Sequence, residues 1–158
     1  MSLDAKTIDA MREALEDEYC ARATYRKVVE AFGPVRPFVN IVDAEDRHTE
    51  ALLALFARFG IESPPDTWPE RVTAPSTLAE ACRIAIDAEI ENEAMYERLL
   101  AQIADLEVAA VMRRLQRASQ ERHLPAFKRC LERESSGGSG PCPRSGAEPG
   151  RRARRRGL

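Results

Sequence analysis

The sequence predicts an all-α protein: a bundle of four long helices, paired as two antiparallel hairpins and joined by a long crossover. Three observations lead there. Four segments, each longer than about twenty residues, carry apolar residues at helical spacing. The turns between the first and second, and between the third and fourth, are short, which makes those pairs antiparallel neighbours. The middle connection is long enough to run from one end of a bundle to the other.

The first helix is expected over residues 4–31, with Met11, Leu15, Glu18, Tyr25, Val29 and Phe32 on one stripe. "FGPVRPF" ends it, Gly33 as the stop and Pro34 and Pro37 beyond. The second covers residues 38–59 and stops at Gly60. "IESPPDTWPERVTAP" then places four prolines in fifteen residues, which only an extended connection tolerates. Trp68, alone in that connection, reads as a packing anchor. A capping box, Thr77 with Glu80, opens the third helix, expected to reach Ala104. Asp105 is an N-cap for the fourth, over residues 106–133.

Residues 1–133 therefore form the bundle domain, and 134–158 are a separate tail. The tail is rich in Gly, Ser, Pro and Arg, with Leu158 its one large apolar residue. It cannot bury enough surface to offset its ordering entropy and is expected to be disordered. The net charge of -2 hides a split: the tail carries +4, and the bundle has 18 Lys+Arg against 24 Asp+Glu. "RRARRR" suits weak contact with nucleic acid or another polyanion, although a solubilising role is the simpler reading. No stretch approaches the roughly 20 apolar residues of a membrane span. The first residues lack the basic and apolar regions of a secretory signal, so the cytoplasm is the expected compartment. Cys20, Cys82, Cys130 and Cys142 form no CxxC pair. Reduced, mostly buried thiols are expected, and an iron site of the cysteine-knuckle kind is excluded.

The inward faces carry the chemistry. In "IVDAEDRHTEALLALF", the apolar stripe Ile41, Leu52, Leu55 also holds Glu45 and His48, one turn apart. The first helix turns Glu18 inward between Leu15 and Tyr25. The third turns Glu89 inward on the stripe Cys82, Ala85, Tyr96, Leu100. The fourth has Met112, Leu115, Ser119, His123, Ala126 and Cys130 on one face. There is also a weak repeat: Glu18 and Tyr25 are seven residues apart, as are Glu89 and Tyr96, and each pair precedes a helix with an inward histidine. A two-centre site between the hairpins would inherit that pseudo-twofold symmetry.

An unpaired buried carboxylate costs several kcal/mol, and three would exceed a typical stability of about 5–15 kcal/mol. Ion pairs, protonated acids and metal are the available remedies. Internal cations are few: Arg22 stands one turn after Glu18 and Arg122 neighbours His123, but the second and third helices turn no Lys or Arg inward. Two divalent ions bridged by carboxylates would satisfy every group at once. Mixed carboxylate and imidazole donors suit iron or manganese, with zinc an alternative. Taken singly, each residue also has an ordinary structural role, a salt-bridge partner or a satisfied core histidine; the constellation is what favours metal.

With "DEYCARATYRKVVEAFGPVRPFVNIVDAEDRHTEALLALFARFGI" and "ERHLPAF", residues 8–133 resemble the ferritin-like di-iron carboxylate superfamily, in particular an uncharacterised bacterial branch near the rubrerythrins. The resemblance implies Glu18 as a terminal ligand, Glu45 as a bridge and His48 as a terminal nitrogen, with Glu89 and His123 their counterparts in the second hairpin. One position departs. Where the pattern expects a second Glu-x-x-His, Gln120 stands three residues before His123. Glu121 is about 200° around an ideal helix from His123, beside Arg117 and Lys128, an outward position. Pro125 weakens that argument, because it frees the Glu121 carbonyl and favours a kink. Glu93, one turn after Glu89, is the other candidate. The second bridge is left open between Glu93, Gln120 and Glu121.

The function so implied is redox chemistry with O2 or peroxide, or the oxidation of iron, with two iron ions and help from Tyr25 and Tyr96 in moving electrons or protons. A rubrerythrin-like peroxidase or a ferroxidase would be the enzyme. With no rubredoxin-type cysteine pairs, the electron donor must be a separate protein. Iron storage is a second reading. A metal-free helical adaptor with an ion-paired core is a third, from a different class. A homodimer is compatible with such bundles, though no exposed apolar seam marks one.

Overall fold

Helix signals in the sequence are realised within a few residues. The computed structural model describes residues 2–137. Asp4 caps α1 (Ala5–Phe32) by accepting the Thr7 N–H at 2.7 Å. Gly33, at φ 83°, ends it by returning its N–H to the Val29 carbonyl. Next come α2 (Phe38–Arg58) and α3 (Leu78–Leu100), the latter capped by Thr77 through the Glu80 N–H. The fourth rod has two parts, α4 (Leu106–Ala118), capped by Asp105, and α5 (Leu124–Ser136), joined through a π turn at Ser119–His123. This rod runs three residues past the expected boundary. Most of the tail, with Cys142 and the Arg-rich run, lies outside the described residues. α3 is shorter than expected, because residues 101–105 form the turn that delivers Asp105 to its capping position.

All described elements are helical, and the four rods form a bundle of two antiparallel hairpins. Two apolar layers fix their directions. One gathers Met11, Leu15, Leu52, Phe56, Tyr96, Leu99, Met112 and Leu115. The other gathers Tyr25, Val28, Phe38, Ile41, Cys82, Ala85 and Phe127. α1 and the fourth rod pass from the first layer to the second, and α2 and α3 pass the other way. Residues 59–77 must therefore carry the chain along the whole bundle, which explains the length of the crossover. Each fully buried Leu or Phe in these layers contributes about 1.5–3 kcal/mol.

Side chains of α1 hold the crossover in place. Trp68 donates its indole N–H to Glu16 Oε2 at 2.7 Å and packs on the first layer, with Arg71 over its ring. Arg22 bonds Asp46 at 3.2 Å and Asp66 at 2.9 Å. That corrects one expectation: Arg22 faces the crossover and α2, and does not neutralise Glu18. A second correction concerns the cysteines. Cys82 and Cys130 meet where α3 packs on α5, their Cα atoms 6.2 Å apart, and are joined as a disulfide, while Cys20 is a free thiol. No described helix is long and apolar enough to cross a membrane.

Candidate metal centre

Between the apolar layers lies a belt of buried polar side chains: Glu18, Glu45, His48, Glu89, Ser119 and His123. Each of the four rods contributes. In α1 and α3 the heptad interval runs from glutamate to tyrosine, so each helix leaves the belt with its tyrosine in the next apolar layer. In α2 the three-residue interval sets Glu45 and His48 on the same face.

The donors form two groups, and in each the candidate atoms lie within 4.8 Å of one another. One is Glu18, Glu45 and His48, with His48 Nδ1 3.2 Å from Glu18 Oε2 and 3.1 Å from Glu45 Oε2. The other is Glu45, Glu89 and His123, with His123 Nδ1 3.1 Å from Glu45 Oε1 and 3.6 Å from Glu89 Oε1. Glu45 belongs to both, offering one oxygen to each half. The two imidazoles are stacked, with centroids 5.2 Å apart. All five principal residues singled out in the sequence thus come together.

Tyr25 and Tyr96 brace the hairpins crosswise. Tyr25 on α1 donates to Glu89 Oε1 on α3 at 2.8 Å, and Tyr96 on α3 donates to Glu18 Oε1 on α1 at 2.6 Å. Tyr96 takes Glu18 Oε1 and leaves Oε2 facing His48, whereas Tyr25 takes the same Glu89 oxygen that approaches His123, the other oxygen accepting from Ser119. Both phenols are fully buried, and burial, with the nearby carboxylates, raises their pKa far above the ordinary value. Their role here is to hold and orient the glutamates.

The fourth rod differs from α2, and the π turn is the reason. Pro125 has no N–H to give the Glu121 carbonyl, and its ring crowds that carbonyl. Widening the preceding turn accommodates it, and the Leu124 N–H instead bonds the Ser119 carbonyl five residues back. In a wider turn the residue four before His123, rather than three before, shares its face. Ser119 accordingly sits in the belt and donates its hydroxyl to Glu89 Oε2. Gln120 is half-buried, Glu121 is exposed, and Glu93 is half-buried with its carbonyl accepting from Gln116; none of the three enters either group. Ser119 was visible as a polar residue on the inward stripe. Asn92, which donates to Asp17 at 2.7 Å beside the belt, carried the same signal, three residues after Glu89 and four before Tyr96 on one stripe.

Electrostatics show how the metal-free belt is balanced. Burial, reinforced by Glu45, lifts Glu18 to about 7. Burial also pushes Glu45 upward, but His123, His48 and Glu18 outweigh it and leave its carboxyl below the ordinary range. For His48, burial opposes the charge, yet Glu18 and Glu45 raise it to about 10; Glu45 and Glu89 likewise raise His123 to about 9. The histidines are thus the internal cations that no Lys or Arg supplies. The balance is incomplete. Glu45 Oε2 and His123 Nδ1 are buried yet hydrogen-bonded to nothing, because their close contacts are misaligned. A carboxylate oxygen and a ring nitrogen left unbonded in a buried belt fit a metal ion, and the mixed oxygen and nitrogen donors fit iron, manganese or zinc. A cavity of about 160 Å³ between α1 and α3 reaches the belt, with Asp17 and Glu91 on its acidic wall.

Several comparisons bear on the whole chain. The model of the uncharacterized protein domain DUF2202 matches residues 7–139. No curated protein matches. Among solved structures, the chain is similar to the hypothetical protein MJ0754 from Methanococcus jannaschii DSM 2661, at a TM-score of 0.76 and 19% identity over 85% of each chain. It is also similar to the conserved hypothetical protein rv2844 from Mycobacterium tuberculosis, at a TM-score of 0.64 and 15% identity, over 92% of this chain and 98% of that one. At such identities the likeness shows the fold alone.

Two predictions follow from this geometry. Folding raises the proton affinity of both histidines, so their ion pairs stabilise fully below about 6.5, the unfolded value, and lose that contribution as pH rises to about 9–10. The melting temperature of chelator-treated protein should fall from pH 7 to pH 10 in calorimetry, and Glu45→Gln should flatten the fall. Tyr96→Phe removes the donor to a buried carboxylate and should cost about 1–3 kcal/mol in urea unfolding of the metal-free protein. A cost near zero would mean that Tyr96 only fills space.

Proposed function

The chain belongs to the DUF2202 family, and we propose that it holds two metal ions, iron foremost, with manganese or zinc as substitutes. Glu18, Glu45 and His48 would hold one ion, and Glu45, Glu89 and His123 the other, with Glu45 as the bridge. The observation that carries this reading is that buried Glu45 serves both donor groups while its Oε2 and the Nδ1 of His123 lack any hydrogen-bond partner. Two directions of α1 and the fourth rod against α2 and α3, with the crossover between hairpins, support placing the chain among ferritin-like di-metal carboxylate proteins.

Bound ferrous iron would supply electrons to peroxide or O2, either as a resident cofactor or as a ferroxidase substrate that is itself oxidised. The residues of the chain do the rest. Glu18 is held by Tyr96, and Glu89 by Tyr25 and Ser119, so both carboxylates keep a fixed aim. The apolar layers above and below exclude water, which strengthens each charge interaction in the belt. The buried phenols keep their protons close to the carboxylates, where a reacting oxygen species would need them. Ser119 stands where a second bridging carboxylate would be expected, so the two halves differ: one half has two full carboxylates besides histidine, and the other shares its terminal Glu89 with a hydroxyl. Electrons for repeated turnover would come from a separate protein.

A second reading has its own observation. His48 and His123 lie within 3.1–3.2 Å of carboxylate oxygens, as in an ion-paired core that needs no metal. Elemental mass spectrometry after anaerobic ferrous reconstitution and desalting separates the two. The expected result is one to two irons per chain, lost in Glu45→Ala/His48→Ala, with peroxide consumed by the iron-loaded protein. Retention of no iron, manganese or zinc by either protein would leave the ion-paired core.

A further inference from the structure

A second cavity, of about 480 Å³, opens on the other face of the bundle, between α2 and the fourth rod. His48 and His123 line it, so it reaches the belt from the side opposite the acidic one. Small side chains make the room: Ala44 and Ala51 on α2 face Ala118 on α4, and Ile41 and Leu115 complete an apolar wall. Its size lies within the range of small-molecule sites.

Three arginines, Arg47, Arg114 and Arg122, also line this cavity. All three are exposed, and none has a carboxylate within salt-bridge distance among the described residues. What sets them apart is their place around one opening, since Arg22, Arg26 and Arg98 pair with Asp or Glu while several other surface arginines among the described residues are also unpaired. Three unpaired guanidinium groups around one opening repel one another, and the field they focus attracts anions. O2 and hydrogen peroxide are uncharged and gain nothing from that field. The alanine wall, for its part, offers nothing to a small inorganic ion and suits hydrocarbon.

We infer that this cavity binds an organic anion, a carboxylate with a short apolar chain, whose acid group sits among Arg47, Arg114 and Arg122 and whose chain lies on Ala44, Ala51 and Ala118 beside the two histidines. Guanidinium groups recognise carboxylates through charge-assisted, forked hydrogen bonds. The ligand would stand next to the centre proposed above, as a substrate or as an anion that controls access to it; in that sense the inference rests on the metal reading, although binding itself does not require the metal. Cations and organic anions would then reach the belt from opposite faces, the first past Asp17 and Glu91, the second past the arginines.

Isothermal titration calorimetry of the full chain with octanoate tests it, in chelator-treated and in iron-reconstituted protein, with inorganic phosphate as the comparison. Octanoate should bind once per chain, and Arg47→Gln/Arg122→Gln should weaken it about tenfold or more. Ala118→Leu, which keeps every arginine but fills the cavity, should abolish binding. Both arginines are exposed, so their loss should leave helicity by circular dichroism unchanged. Octanoate that fails to bind the unaltered protein, binds either variant as tightly as the unaltered protein, or binds no better than phosphate would overturn the inference. Octanoate binding to protein that retains no iron after reconstitution would keep the anion site and remove the metal centre instead.

Discussion

Three carboxylates buried in the waist of a helical bundle are the constraint on which the rest of this structure depends. Left alone they would cost more than a domain of this size can spare. Everything around them answers that cost. Two histidines stand between them, two tyrosines and a serine donate to them, and Glu45 divides its oxygens between the two halves. The belt also organises packing, because it separates the core into two apolar layers, and each layer sends one tyrosine back into it. The tyrosines bond across from one hairpin to the other, so the polar site and the association of the hairpins are one piece of architecture.

The two hairpins are near copies, and their differences matter more than their likeness. Glu18 with Tyr25 repeats as Glu89 with Tyr96, and His48 repeats as His123. The copy fails three or four residues before the histidine, where α2 has Glu45 and the fourth rod has a π turn with Ser119. A hydroxyl there adds no negative charge, which leaves three carboxylates rather than four to be neutralised. The faces of the bundle differ as well. The α1–α3 side presents Asp17 and Glu91, whereas the side between α2 and the fourth rod presents three unpaired arginines. One buried belt is thus approached through fields of opposite sign.

Much of this is legible in the sequence. Thr77 and Asp105 mark helix starts because their side chains satisfy N–H groups that the first turn leaves free, and both do so in the structure. The prolines of the crossover, and the 3.6-residue stripes that turn Glu18, Glu45, His48, Glu89 and His123 inward, are local patterns too. What failed to be legible depends on distant parts of the chain. Arg22 shares a face with Glu18 in a helix, but Asp46 and Asp66 arrive from elsewhere and take it. Tyr25 was readable as inward, while its bond to Glu89 requires knowing how α1 sits against α3. The pairing of Cys82 with Cys130 depends in the same way on α3 packing against α5. The π turn lies between these cases: Pro125 announced a disturbance at Glu121, but a kink and a widened turn answer the same proline, and only the second puts Ser119 beside His123.

The central claim is that Glu45 bridges two metal ions. Anomalous diffraction at the iron absorption edge, from crystals of the iron-reconstituted protein, tests it most directly. The account predicts two anomalous peaks, one between Glu18, Glu45 and His48 and one between Glu45, Glu89 and His123, with Glu45 touching both. A belt with no peak, its histidines bonded to the carboxylates alone, would contradict it, as would a single ion bound away from Glu45.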